Sequence, residues 1–152
     1  MYISPIKYRR TSEELADKFV SWTRDDKAFF AAGACHILAF TFRVLHPNRN
    51  LQLIFIHPQT KFGSTGTHVY ALDGDWAFDF NGWTKEKDLI AEVRKSYFAK
   101  YPGWDFDRVI IKDDLETFCK RNKHTLTSHF AYLPWKRTHK FIQRFSPTPP
   151  NE

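Results

Sequence analysis

Apolar residues recur along this chain with two periods. Thr11-Ser12-Glu13-Glu14 is a capping-box pattern, in which the hydroxyl and the carboxylate three residues on satisfy each other's backbone N–H groups. Behind it Leu15, Phe19 and Trp22 return at helical spacing, which predicts a helix from Ser12 to about Arg24. Gly33 precedes a second helix, about Ala34 to Leu45. There Ile37, Leu38, Phe40, Thr41, Phe42, Val44 and Leu45 leave almost no polar face, the mark of a buried helix. It ends at His46-Pro47, because the residue before proline resists helix. Leu51 to His57 reads as a strand, and a polar loop follows from Pro58 to Thr67. Two strand-like runs, His68–Leu72 and Asp75–Asp79, are joined by Asp73-Gly74, a strong hairpin signal. Thr84 to about Lys100 is helical, with Leu89, Ile90, Val93 and Tyr97 on one side. Arg108–Lys112 is a short strand, and Asp113–Asn122 is a short helix with acids at its positive end. Helices first, then an antiparallel sheet with further helices, makes an α+β fold with the Cys35 helix buried against the sheet.

Composition narrows the class. At 152 residues with 42% hydrophobic and 17% aromatic content, the chain suits one globular domain, assigned to residues 1–145 with a disordered tail over 146–152. The start, MYISPIKYRR, has no apolar signal core, and no run approaches the roughly 20 apolar residues that span a bilayer. The expectation is a chain that is cytoplasmic as synthesised and has no membrane span; delivery as an effector or toxin stays open. Two cysteines cannot build a disulfide framework.

The net charge of +6 is unevenly placed. Residues 1–116 hold 16 basic and 16 acidic residues, whereas residues 117–152 hold seven basic residues and one acid, Glu152. Phe130, Tyr132, Trp135, Phe141 and Phe145 interleave with those cations. Lys136, Arg137, Lys140 and Arg144 are therefore candidates for an acidic partner or nucleic acid. The alternative is that the aromatics pack on the domain and the charges stay solvated.

Cys35 is the candidate nucleophile. At a helix start the backbone N–H groups have no intrahelical partner, and the helix dipole favours a thiolate. Those N–H groups could also stabilise an oxyanion; a free cysteine is otherwise commonly a small buried residue. A thiolate nucleophile needs a base held by a third polar group. With Asp73-Gly74 as a two-residue turn, Leu72 pairs with Asp75 and, counting outward, His68 faces Asp79. Their Cβ atoms would then lie roughly 4.5–5.5 Å apart. Val69, Ala71, Trp76 and Phe78 form the opposite, apolar face, and Asn81 lies one diagonal step from His68 as an alternative orienting group. Gly33, His36 and Thr67 are expected to line the pocket or its loop. Cys119 reads as core. His57, His124, His129 and His139 show no metal-ligand spacing, and Gly63–Gly66 lacks the lysine of a phosphate loop, so neither metal nor cofactor is expected.

A cysteine at the start of a buried helix, then His68 and Asp79 on consecutive strands, resembles the papain-like superfamily, which includes papain-type cysteine proteases, transglutaminase-like proteins and NlpC/P60-type amidases. The run HVYALDGDWAFDFNGW, His68 to Trp83, is similar to the transglutaminase-like His-strand, turn, Asp-strand unit. The resemblance implies a catalytic triad: Cys35 as thiol nucleophile, His68 as base and then acid, and Asp79 as orienting group. Asn81-Gly82-Trp83 echoes the Asn-Ser-Trp of papain-type proteases, which implies Asn81 as the alternative third member with Trp83 shielding the hydrogen bond. The Cys-Trp pair common to papain and transglutaminase nucleophiles and the Asp-Cys-Ser of NlpC/P60 proteins are absent, and no upstream glutamine completes an oxyanion hole. The implied activity is cysteine-dependent acyl transfer on a protein or peptide-like amide, as hydrolase or transferase: peptidase, amidase, deamidase or transglutaminase. The competing expectation is a non-catalytic binding module that uses the basic C-terminal region.

Overall fold

The computed structural model describes residues 1–150, so the last two residues of the expected tail lie outside the described residues. It has an α+β architecture. Five antiparallel strands, β1 (Gln52–Pro58), β2 (His68–Asp73), β3 (Trp76–Asp79), β4 (Gly82–Lys85) and β5 (Phe106–Ile110), form one sheet in the order β4-β3-β2-β1-β5. The helices are α1 (Ser12–Ala16), α2 (Lys18–Trp22), α3 (Asp26–Ala31), α4 (Cys35–Leu45), α5 (Glu86–Lys100), α6 (Leu115–Asn122) and α7 (Trp135–Ile142).

The sheet is covered on both faces, so its central strands read as continuous apolar runs rather than alternating ones. Leu53, Phe55, Val69, Ala71 and Phe78 pack with α4, which is buried from Cys35 to Phe42. Ile54, Ile56, Tyr70, Leu72 and Ala77 pack instead with Leu89, Val93 and Tyr97 of α5. The expectation of one apolar face is thus corrected: α5 makes the second face a core as well. Among the described residues no helix is long and apolar enough to cross a membrane.

The central hairpin turns one residue later than expected, which slips the strand pairing by two. Asp73 pairs with Trp76, Leu72 with Ala77 and Ala71 with Phe78, so the loop is Gly74-Asp75. Gly74 takes φ +59° at the first loop position, as a type II′ turn requires, and Asp75 does not need a left-handed backbone. This frees Asp73 to stay in β2, where its carboxylate pairs with Arg49. A slip of two preserves the faces, whereas a slip of one would have inverted them. His68 and Asp79 therefore keep the same side of the sheet, but as diagonal rather than directly opposed neighbours.

The expected helix from Ser12 to Arg24 is broken. The Thr11–Glu14 capping box forms as read, but Asp17 is extended and its side chain accepts from the N–H groups of Phe19 and Val20, starting α2 afresh. Leu15 and Phe19 consequently remain exposed at 63% and 53%. Three elements were not foreseen: α3, capped by Asp25; β4, only four residues long; and α7. In α7, Phe141 stacks on Phe30 with ring centroids 4.7 Å apart. Arg137 donates to Asp26 at 2.8 Å and to the carbonyls of Trp22 and Arg24, each at 2.7 Å, and Arg144 also pairs with Asp26. Two of the four cations singled out for an acidic partner are thus engaged within the fold, while Lys136 and Lys140 are exposed.

The turn between β3 and β4 fixes where the chain end lies. Gly82 has φ +78°, and a Cβ there would stand 2.6 Å from the Phe145 ring. Gly82→Ala is expected to cost about 1–3 kcal/mol, read as a lower urea midpoint at unchanged slope.

Candidate active site

The chain enters α4 through Gly33, whose φ of +111° suits glycine and whose Cα is packed by Arg10: a Cβ would lie 3.3 Å from the guanidinium carbon. Ala34 caps the helix with no side-chain hydrogen bond, so the first N–H groups of α4 receive no capping side chain. Cys35, the first helical residue, lines one wall of an open cleft of about 290 Å³. Ser64 to Thr67 form another wall, and the loop is held where the Trp104 indole N–H donates to Thr65 O at 3.0 Å. Gly33 and Thr67 line this cleft, whereas His36 is fully buried and does not.

His68 and Asp79 are both buried and meet directly, Nε2 to Oδ2 at 2.9 Å. The carboxylate is satisfied on all sides. Oδ2 also accepts from the Tyr2 hydroxyl at 2.7 Å, and Oδ1 accepts from the Asn81 backbone N–H at 2.9 Å and its side-chain amide at 3.4 Å. With Nε2 committed to Asp79, the other ring nitrogen, Nδ1, has no hydrogen-bond partner within the protein. Burial opposes a charge on His68, but the hydrogen bond and charge of Asp79, with the neighbouring Cys35, overcome it and push the imidazole up to about 9. Burial likewise works against a Cys35 thiolate; the imidazoles of His124, His36 and His68 around the sulfur reverse that and hold the thiol well below its usual range. Cys119 shows the contrast. Its sulfur, 3.6 Å from Thr125 O, is pushed by burial up to about 11.

Asp79 and Asn81 are placed differently around His68. Asn81 makes no hydrogen bond to His68. Its amide clasps the backbone of Ile3, accepting from Ile3 N–H at 3.2 Å and donating to Ile3 O at 3.0 Å, and so delivers the neighbouring Tyr2 to Asp79. Trp83 packs on Phe42 and Phe78 and donates to Ser146 O. The ring standing edge-on to His68 is Phe80, with centroids 5.9 Å apart.

Tyr2 and His124 escaped the sequence reading. Neither has a spacing signal, since each reaches the site from a distant part of the chain. His124 is brought in by the left-handed Lys123 (φ +54°) that ends α6, and its Nδ1 bonds Asn122 O at 2.9 Å. His36 Nε2 bonds Thr125 O at 2.8 Å, and its Nδ1 is buried without a partner. Ligand atoms of Cys35, His36 and His124 lie within 4.8 Å of one another, so tertiary structure assembles a donor set that linear spacing did not suggest. A thiolate with two imidazoles could hold a soft divalent cation such as Zn2+. The cations Arg9, Arg10 and Lys123 line the same cleft and oppose a further positive charge. Comparison with protein-family models, curated proteins and solved structures finds no significant match.

Proposed function

We propose that this chain is a cysteine-dependent acyl-transfer enzyme of papain-like type, with Cys35 as nucleophile, His68 as proton carrier and Asp79 as the orienting group. One observation carries the reading. His68 spends Nε2 on a fully satisfied carboxylate, its Nδ1 has no other partner, and the imidazole and the Cys35 thiol at the start of α4 are close enough to shift each other's titration.

The steps follow from that arrangement. The Cys35 proton passes to His68 Nδ1, giving a thiolate beside an imidazolium that Asp79 stabilises. The sulfur attacks a carbonyl carbon, and the oxygen gains negative charge facing the uncapped N–H groups of α4. The imidazolium then gives its proton to the leaving amine, and an acyl-thioester remains. Water or an amine, deprotonated by the now neutral His68, attacks that thioester and restores the thiol. Tyr2 supports the sequence from behind by fixing the Asp79 oxygen that His68 uses.

Iodoacetamide is expected to label Cys35 well before Cys119 at pH 6–7, as peptide mapping would show. The pH dependences of two reactions should differ. Alkylation needs only the thiolate, so it falls on the acid side and stays high above pH 9. Acyl transfer also needs the His68 proton, so it declines again as the pH rises through about 9. Equal, slow labelling of both thiols in the native protein would remove the reading.

A further inference from the structure

Cys35 apart, the charged side chains lining its cleft are all of one sign. Arg9, Arg10 and Lys123 reach it, and no aspartate or glutamate does. Most other arginines of the fold have an acidic partner, as in Arg24–Glu14, Arg49–Asp73, Arg108–Glu86 and Arg137–Asp26. Arg9 lies over the Tyr101 ring. Arg10 is half-buried and, among the described residues, makes neither an ion pair nor a hydrogen bond. Its planar group lies against Gly33, at the threshold of the uncapped α4. Five unused N–H donors therefore share one space with helix-start amides, and both favour an anion.

We infer that the substrate of Cys35 carries a carboxylate next to the carbon that is attacked, and that the Arg10 guanidinium binds it. The inference rests on the reading of Cys35 as nucleophile and adds a substrate class to it. A planar guanidinium matches a carboxylate through two parallel N–H···O bonds, which a lysine ammonium cannot reproduce. Burial and the neighbouring Arg24 work against the charge of Arg10 and outweigh the favourable charges of Cys35 and Glu14, so a bound anion would add counter-charge to a guanidinium that no carboxylate pairs directly.

Two alkylating reagents isolate the effect without knowledge of the natural substrate. In each, the Cys35 thiolate displaces iodide from carbon: a C–S bond forms, a C–I bond breaks, and no further reactant is needed. Iodoacetate carries the carboxylate and iodoacetamide its neutral amide. The ratio of their rates on the native protein, divided by the same ratio for glutathione, is expected to exceed about tenfold. Arg10→Gln should return the ratio to within about twofold of glutathione, a change common to both reagents cancelling in that ratio, and Arg10→Lys should retain part of it. A wild-type ratio equal to that of glutathione overturns the inference. So does an Arg10→Gln variant that slows both reagents equally, since that guanidinium would serve only the thiolate. Should iodoacetamide itself react no faster than with glutathione at pH 6–7, the nucleophile reading fails instead.

Discussion

His68→Ala is expected to lower acyl transfer by about 10²–10⁴-fold, because it removes the group that moves the proton in both half-reactions. It should also slow alkylation of Cys35 near neutral pH, for a separate reason. Cys35 is buried, and burial by itself favours the neutral thiol. Without the imidazolium the thiolate loses a charged neighbour and its population at pH 7 falls. Reactivity should then recover as the pH is raised, which distinguishes a displaced titration from a collapsed site. Stopped-flow alkylation across pH 5–10, on wild type and variant, measures both. His68→Ala rates that match wild type at every pH would exclude the imidazole from the chemistry.

Asp79→Asn carries the second large effect. Two donors, the Tyr2 hydroxyl and His68 Nε2, converge on Oδ2. An amide nitrogen placed there would face both with hydrogens, and turning the amide over would present that nitrogen to the Asn81 N–H instead. Either orientation leaves a buried donor unmatched, at a cost of about 1–3 kcal/mol in stability. It also frees His68 to take the wrong tautomer, with the proton on Nδ1 and aimed at the sulfur. A loss of about 10²-fold or more in acyl transfer is expected, with the alkaline limb moved down from about 9 because the charge that raised the imidazole is gone. Asn81→Ala should act more weakly on that limb, since the Asn81 backbone N–H still reaches Asp79 and what is lost is the clasp on Ile3 and the long side-chain bond to Oδ1.

How much of this was legible in the sequence depended on distance along the chain. The start of α4 could be read because Gly33, the apolar run behind it and His46-Pro47 are local signals. The sharing of one face by His68 and Asp79 survived a misplaced turn, because strand parity tolerates an even slip. The direct opposition of the pair did not survive, since Gly74 at the first loop position shifts the register by two residues. α3 and α7 were missed although Asp25 offers a cap and Trp135, Thr138, Phe141 and Ile142 recur helically; the basic charge of the last segment drew the reading toward a binding face. Tyr2 and His124 had no readable signal. Tyr2 reaches Asp79 through the Asn81 clasp, and His124 reaches Cys35 through a left-handed residue whose side chain, lysine, does not announce that conformation.

The central claim is that Cys35 and His68 form a thiolate–imidazolium pair at neutral pH. The ultraviolet absorbance of the thiolate, recorded against pH as wild type minus Cys35→Ser, reads that directly. The account predicts a thiolate already present at pH 7, titrating well below the roughly 8.5 of a free cysteine and moving back up in His68→Ala. A thiolate that appears only above about pH 8.5, with or without His68, would contradict it.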